Sequence, residues 1–250
     1  MIAARVIGTH PPIPEIGTGD DLAGILATAR GDDGFAPGEV LVLAHKIVSK
    51  AEGRVVSLDE VEASPLAMEV AIALGKDDPR TVEVVLRETA EVVRAERGVL
   101  ISRTHHGFVC ANAGVDASNA AQPDELIMLP VDPDASARAL RAALPGHPAV
   151  VIADSFGRAW RHGQCDVAIG IAGLAPLEDW RGRTDGHGRE LRATWIAIAD
   201  QAAAAADLAR GGKDAGEPAV VVTGLDRHVT ADDGPGAVAL LRSRDEDLFG

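Results

Sequence analysis

Three short apolar runs constrain the centre of this chain more than any other feature. Glu39 to Ala44, Ala149 to Ala153 and Ala219 to Thr223 are rich in Val, Leu and Ile and are of strand length. Each predicts a strand, the first two of them buried. Around them the apolar spacing becomes helical. A helix is expected from Asp20, with acidic residues in its first turn and Leu22, Ile25 and Leu26 on one face. Residues 64–74 and 79–93 also have helical spacing, the second opening on Pro79. Two more helices are expected, over 134–144 and over the Ala-rich stretch 188–210, which ends at Gly211–Gly212. Val99 to Ser102, Leu126 to Leu129 and Ala168 to Ala172 are further strand candidates. Strands and helices mix without a strict βαβ rhythm, which predicts an α+β or irregular α/β fold. Residues 31–38 and 211–218 are expected to be loops, and the charged tail after Leu225 a loosely held end.

The 250 residues suffice for one large domain or two interleaved subdomains. The net charge of -14 disfavours nucleic acid and anionic membranes as partners. No apolar run approaches the roughly 18 residues that span a bilayer. The first residues, MIAARVIGTHPPIPEIG, lack the basic and apolar regions of a signal peptide. The two cysteines, Cys110 and Cys165, cannot build a disulfide framework, so a reducing compartment is expected. These observations together predict a cytoplasmic protein.

Familiar nucleotide signatures are absent. Gly212–Lys213 is followed by Asp214 rather than Ser or Thr, and Leu22 stands where a GxGxxG begun by Gly17 and Gly19 needs its third glycine. Other groups carry more chemistry. Asp154 ends the apolar run VVIAD and is followed by Ser155; a carboxylate and hydroxyl at a strand end can hold Mg²⁺ or Mn²⁺. Asp116 and Asn119 lie among Ala113, Gly114, Ala117 and Ser118, where backbone can approach a ligand closely. Each group also has a plain structural reading: Asp154 as a turn cap before Gly157, Asp116 and Asn119 as an Asx-turn or helix cap. Lys46, Lys50 and Arg54 follow a strand, and Lys46 and Lys50 share a face on a helical turn, fit to meet phosphate or simply solvated. Arg158, Arg161 and His162 follow Asp154, and Arg181, Arg183, His187 and Arg189 come later among Glu178, Asp179 and Asp185. They can neutralise an anionic substrate or pair with those acids. His105–His106 and His162-x-x-Cys165 do not make a zinc pattern.

The blocks IPEIGTGDDLA, KIVSKAEGR, HGFVCANAGVDASN, LPVDPDASA, ADSFGRAWRHGQ, AIGIAGLAPLEDWRGRTDGHGRELRAT and AVVVTGL run from about residue 6 to 225. In sequence and order they resemble the coenzyme F420-0:γ-glutamyl ligases. The resemblance implies an unusual α/β fold forming an intertwined homodimer. It implies a GTP-dependent amide ligase that joins L-glutamate to the side-chain carboxylate of F420-0 through an acyl phosphate, some members adding further γ-linked glutamates. Two divalent ions, Mg²⁺ or Mn²⁺, are implied, with K⁺ as a further candidate. By position, Asp116, Asp154 and Ser155 match metal ligands. Ile13, Pro14, Glu15, Ile16, His45, Lys50 and Asn119 match nucleotide-contacting positions, as does the loop from Arg210 through Gly211, Gly212 and Lys213 to Glu217. Arg158 and Arg161 are assigned catalytic roles here from charge and proximity. Three departures stand out. His45 replaces a small hydroxyl residue or Gln, Gly212 replaces a metal-binding acid of some members, and Thr223–Gly224 replaces Arg-Gly. Some relatives continue into a flavin-binding, nitroreductase-like domain after a segment like DEDLFG; no such domain and no flavin are expected here. Competing readings of the same carboxylates are a phosphohydrolase or kinase acting on another acceptor, and a non-catalytic F420-binding protein.

Overall fold

The three apolar runs become the middle of one sheet. The computed structural model describes residues 1–10, 12–32 and 34–247. In chain order its strands are β1 (Ala3–Val6), β2 (Val40–Ala44), β3 (Val55–Ser57), β4 (Thr89–Glu96), β5 (Val99–Thr104), β6 (Val109–Ala111), β7 (Glu125–Ile127), β8 (Ala149–Arg158), β9 (Arg161–Ala172), β10 (Leu177–Asp179), β11 (Trp195–Ala197) and β12 (Ala219–Thr223). The helices are α1 (Leu22–Arg30), α2 (His45–Ala51), α3 (Pro65–Leu74), α4 (Pro79–Arg87), α5 (Pro133–Ala143) and α6 (Ile198–Ala209).

The main sheet has the order β1-β12-β2-β8-β9, and only β2 and β8 run parallel. Its side chains alternate between two apolar layers. On one face Leu41, Leu43, Val150, Ile152 and Val221 pack with Leu22 and Leu26 of α1, Ile47 and Val48 of α2, and Ala137 and Leu140 of α5. On the other face Val40, Val42, Val151, Val220 and Val222 pack with Ala199, Ala202, Ala203 and Ala206 of α6. With both faces covered, the strands need apolar residues at every position, which is why the runs do not alternate. The alanines of α6 let that helix lie close on the sheet, so the Ala-rich composition is used in packing.

Residues 55–129 gather a second apolar cluster, including Val61, Leu74, Val84, Val85, Leu100, Val115 and Leu126. Here β3 pairs with β7, and β4, β5 and β6 form a three-stranded sheet. The mixture of sheets and helices is the mixed α/β architecture expected.

Several elements depart from expectation. The helix expected over 79–93 stops at Arg87, and Thr89–Glu96 is β4. Thr89 donates its hydroxyl to the Val85 carbonyl at 2.7 Å, and its Oγ1 lies 3.0 Å from Ser102 Oγ, ending the helix where pairing with β5 begins. Val92 and Val93 then suit the strand. The helix expected over 188–210 covers only Ile198–Ala209, because Trp195–Ala197 pairs with β10. Asp21 accepts from the Gly24 amide as the cap of α1, so the acidic residues precede the helix rather than fill its first turn. The strands expected over 149–153 and 168–172 extend to Arg158 and back from Arg161 as one long hairpin. The tail is held: Leu225, His228 and Ala237 are buried, and Arg141 pairs with Asp233 at 2.9 Å. The DEDLFG segment lies partly outside the described residues. Among the described residues no helix is long and apolar enough to cross a membrane.

Gly170 breaks the apolar run of β9 for a packing reason. A Cβ there would stand 2.3 Å from the Pro133 carbonyl oxygen at the start of α5. Gly170→Ala is therefore expected to lower stability by about 1–3 kcal/mol, seen as an earlier urea-unfolding midpoint. An unchanged midpoint would contradict this close approach.

Candidate active site

Strand register assembles the site. In the parallel pair Ala44 lies opposite Ala153. The next residues, His45 at the start of α2 and Asp154 still within β8, therefore lie side by side, with His45 Nε2 3.4 Å from Asp154 Oδ1. β12 starts from the same end, and the Ala44 amide donates to the Pro218 carbonyl at 2.8 Å. Three segments far apart in sequence thus meet beyond the carboxyl ends of the only parallel strands of this sheet. That is where open α/β sheets bind ligands.

α2 begins at this point. His45 is buried, with Nδ1 3.2 Å from Ser49 Oγ. Lys46 Nζ donates to Asp116 Oδ2 at 2.6 Å and to the Ser118 carbonyl at 2.8 Å. Asp116 also accepts from the Ser118 amide at 2.9 Å, so the Asx-turn is real and coexists with the ion pair. Lys50 is buried and pairs with Glu15. Lys46 and Lys50 share a helix but diverge to different partners.

Both candidate ligand carboxylates are held ionised. Burial pushes the Asp154 carboxyl up, but His45, the Ser155 amide and Lys46 outweigh it and hold it below the ordinary value. Burial likewise raises Asp116, and Lys46 and Ser118 outweigh it. Because both are lowered, their contribution to stability is complete above the ordinary carboxylate range and is lost as pH falls through the lowered values. Lys46 lowers both acids, bonding Asp116 directly and acting on Asp154 through its charge.

The β8–β9 pairing adds a residue that the sequence reading missed. Ser155 lies opposite Asp166, and Asp166 Oδ1 accepts from the Ser155 hydroxyl. Arg210, just after α6, donates from Nη1 to Asp166 Oδ2 at 2.6 Å. Lys213 reaches the same Ser155 oxygen at 2.5 Å. The strand was expected to begin at Ala168, which left Asp166 outside it. A carboxylate two residues before an apolar run, opposite Ser155 in a hairpin, was the available signal.

The other expected positions divide. Asn119 adopts a positive φ of 59° and donates from Nδ2 to the Lys213 carbonyl at 3.5 Å, joining the Asp116 loop to the Arg210–Glu217 loop. In that loop Gly211 donates its amide to Glu217 at 2.6 Å, and Gly212 has φ 138°, a backbone that glycine permits. Ile13, Pro14, Glu15 and Ile16 lie on a segment without regular structure; Ile16 is a core residue, and Glu15 reaches the site through Lys50. Arg158 and Arg161 are not brought to the carboxylates. They face each other at the hairpin tip, roughly 13 Å along β8 from Asp154 at ~3.3 Å per residue. Arg158 donates to the His162 carbonyl at 2.7 Å. Arg181 and Arg183 pair with Asp179 at 2.7 Å and Glu178 at 3.1 Å, so ordinary surface pairing accounts for them. His105 and His106 bond backbone carbonyls of Arg87 and Pro130.

Two carboxylates and a hydroxyl form an all-oxygen set, which suits a hard cation. The ammonium groups of Lys46 and Lys213 lie against oxygens of Asp116 and Ser155, so these oxygens already accept positive charge. Among the described residues no three His, Cys, Asp or Glu side chains gather to hold a metal unaided. This fits Mg²⁺-type binding, which takes one or two carboxylates and completes its shell with phosphate and water.

The profile of the F420-0:gamma-glutamyl ligase family matches residues 12–224. The chain is 44% identical to the coenzyme F420:L-glutamate ligase of Methanothermobacter thermautotrophicus, over 95% of each chain. It is 45% identical to the protein of that name from Methanopyrus kandleri, over 95% of this chain and 96% of the relative. Against that of Natronomonas pharaonis the identity is 44%, over 94% of this chain and 91% of the relative.

Cys110 lies near the site but is not a nucleophile. Burial, helped by the charge of Asp154, pushes its thiol up to about 12, so it stays protonated at neutral pH. At pH 8, iodoacetamide is expected to label Cys110 at least about ten-fold faster in urea than in the native protein, followed by peptide mass spectrometry. Equal rates would contradict a buried, protonated thiol.

Proposed function

The chain belongs to the F420-0:gamma-glutamyl ligase family, and on that premise we propose that it is a GTP-dependent ligase joining L-glutamate to the side-chain carboxylate of coenzyme F420-0. The observation that carries the proposal is the meeting of Asp154–Ser155, the α2 lysines, the Asp116–Asn119 turn and the Arg210–Glu217 loop beyond the parallel β2–β8 pair.

The reaction has two steps. A carboxylate oxygen of F420-0 attacks the γ-phosphorus of GTP, and GDP leaves. The amine of glutamate, having lost its proton, then attacks the acyl carbon. The amide bond forms and inorganic phosphate leaves. Phosphoryl transfer of this kind depends on positioning and charge neutralisation. Asp116, Asp154 and Ser155 would hold divalent ions, Mg²⁺ or Mn²⁺, two on this reading. When bound, these neutralise phosphate charge and align the attack. Lys46, Lys50 and Lys213 supply mobile positive charge for the phosphates. Asn119 and the backbone of Ile13–Ile16 and of Gly211–Gly212 are assigned to the nucleotide. His45 packs behind Asp154 and orients it.

The same reading pairs two copies in a cytoplasmic homodimer. β4 is exposed along nearly its whole length, and Trp160 at the hairpin tip is 78% exposed. We assign these surfaces to the contact between copies, and with them Arg158 and Arg161, whose roles then lie at that contact rather than in this chain's own carboxylate cluster.

Incubation with GTP, Mg²⁺ or Mn²⁺, F420-0 and glutamate is expected to add glutamate-sized masses to F420-0 and to release GDP. Release of GDP without ligation would favour a phosphohydrolase or kinase, and binding without turnover a non-catalytic protein. Asp154→Asn is expected to lower ligation by roughly 10²-fold or more in a protein that still folds, because it removes a carboxylate assigned to hold the divalent ion. Normal ligation by that variant would overturn the assignment of Asp154.

A further inference from the structure

Asp166 is buried, charged and unused by the steps above. Its side chain is 3% exposed. Oδ1 accepts from the Ser155 hydroxyl at 2.5 Å, Oδ2 accepts from Arg210 Nη1 at 2.6 Å, and Lys213 Nζ is 3.7 Å from Oδ1. A serine hydroxyl has one hydrogen and two lone pairs, whereas an ionised carboxylate can only accept. The contact with Asp166 therefore takes the Ser155 hydrogen and turns its lone pairs away. Lys213 Nζ donates to that same oxygen at 2.5 Å, so the lone-pair side is the side that receives positive charge.

Arg210 explains how Asp166 can do this. The charge-assisted bond from Arg210 Nη1 to Oδ2 fixes the Asp166 carboxylate in place and leaves Oδ1 turned to the Ser155 hydroxyl. The Arg210 side chain is 10% exposed, and its Nε and Nη2 have no hydrogen-bond partner among the described residues. Its one strong bond is the one to Asp166, which is how a guanidinium kept for its charge on that acid would be placed.

We propose that Asp166 is a positioning residue: fixed by Arg210, it orients the Ser155 hydroxyl so that its lone pairs face the second divalent ion. The inference rests on the proposed reading of Ser155 as a ligand of that ion, and the test separates the two. Mn²⁺ binding to the full chain, in the presence of a non-hydrolysable GTP analogue, is followed by electron paramagnetic resonance. Asp166→Asn, whose amide can donate to Ser155 and reverse the bond, is expected to weaken the second Mn²⁺ by roughly 10–100-fold and leave the first unchanged. Ser155→Ala is expected to lose the same ion, and the double variant to be no weaker than Ser155→Ala alone. Should Asp166→Asn fail to fold, Arg210→Lys, which keeps a cation but loosens its hold on Asp166, is expected to weaken the second ion in the same direction by less. If Ser155→Ala loses the second ion while Asp166→Asn binds it as the wild type does, the role of Asp166 is overturned and Ser155 stands. If Ser155→Ala itself binds both ions normally, both fall.

Discussion

The parallel pairing of β2 with β8 is the constraint on which the rest depends. One register, Ala44 opposite Ala153, sets His45 beside Asp154 and brings in Lys46 and Lys50 on the helix that starts there. A slip of one residue would send Asp154 to the other face of the sheet and separate it from His45. The register is defended by burial: Val40, Leu41, Val42 and Leu43 and Val150, Val151 and Ile152 are fully inaccessible to solvent. The chemistry is placed at the end of the most tightly packed part of the molecule. Flanking segments can then be irregular, because the Asp116–Asn119 turn and the Arg210–Glu217 loop are tied to that end by Lys46, Lys213 and Asn119.

Charge is arranged with the same economy. The chain carries a net charge of -14, yet on the proposed reading the site accepts nucleotide phosphates and carboxylates. It does so by pairing each acid with a base. Asp116 has Lys46, Asp154 has His45, Asp166 has Arg210 and Lys213, and Glu15 has Lys50. Asp116 and Asp154 are held below the ordinary carboxylate range by the groups beside them. An incoming cation and an incoming anion can each find a partner without leaving a buried charge exposed to apolar surroundings, which would be costly.

The centre of the fold was legible in the sequence because burial on both faces writes an uninterrupted apolar run. The site residues on those runs, Asp154 and Ser155, were legible for the same reason. What local pattern could not show was pairing. Residues 88–93 carry spacing compatible with a helix, and only the partner strand β5 turns them into β4. The stretch 188–197 looked helical until Trp195–Ala197 found β10. Asp166 was missed because its importance comes from Ser155 across the hairpin, not from its neighbours. Arg158 and Arg161 were grouped with Asp154 by nearness in sequence, but an extended strand carries near neighbours away quickly, and the hairpin puts them at its far tip. The resemblance to a family matched Asp116 to a metal ligand and Asn119 to a nucleotide contact, where spacing alone favoured an Asx-turn or helix cap; the Asx-turn is present, and Asp116 in it also pairs with Lys46.

The central claim is that Asp116, Asp154 and Ser155 together hold the two divalent ions beneath a nucleotide. A crystal of the chain grown with Mn²⁺ and GDP, examined by anomalous diffraction at the manganese edge, tests it most directly. The account predicts manganese within ~2.0–2.3 Å of oxygens from Asp116, Asp154 and Ser155, with the GDP phosphates completing the shell. Manganese or nucleotide bound elsewhere, with these three residues keeping only their contacts to Lys46, His45 and Lys213, would contradict it.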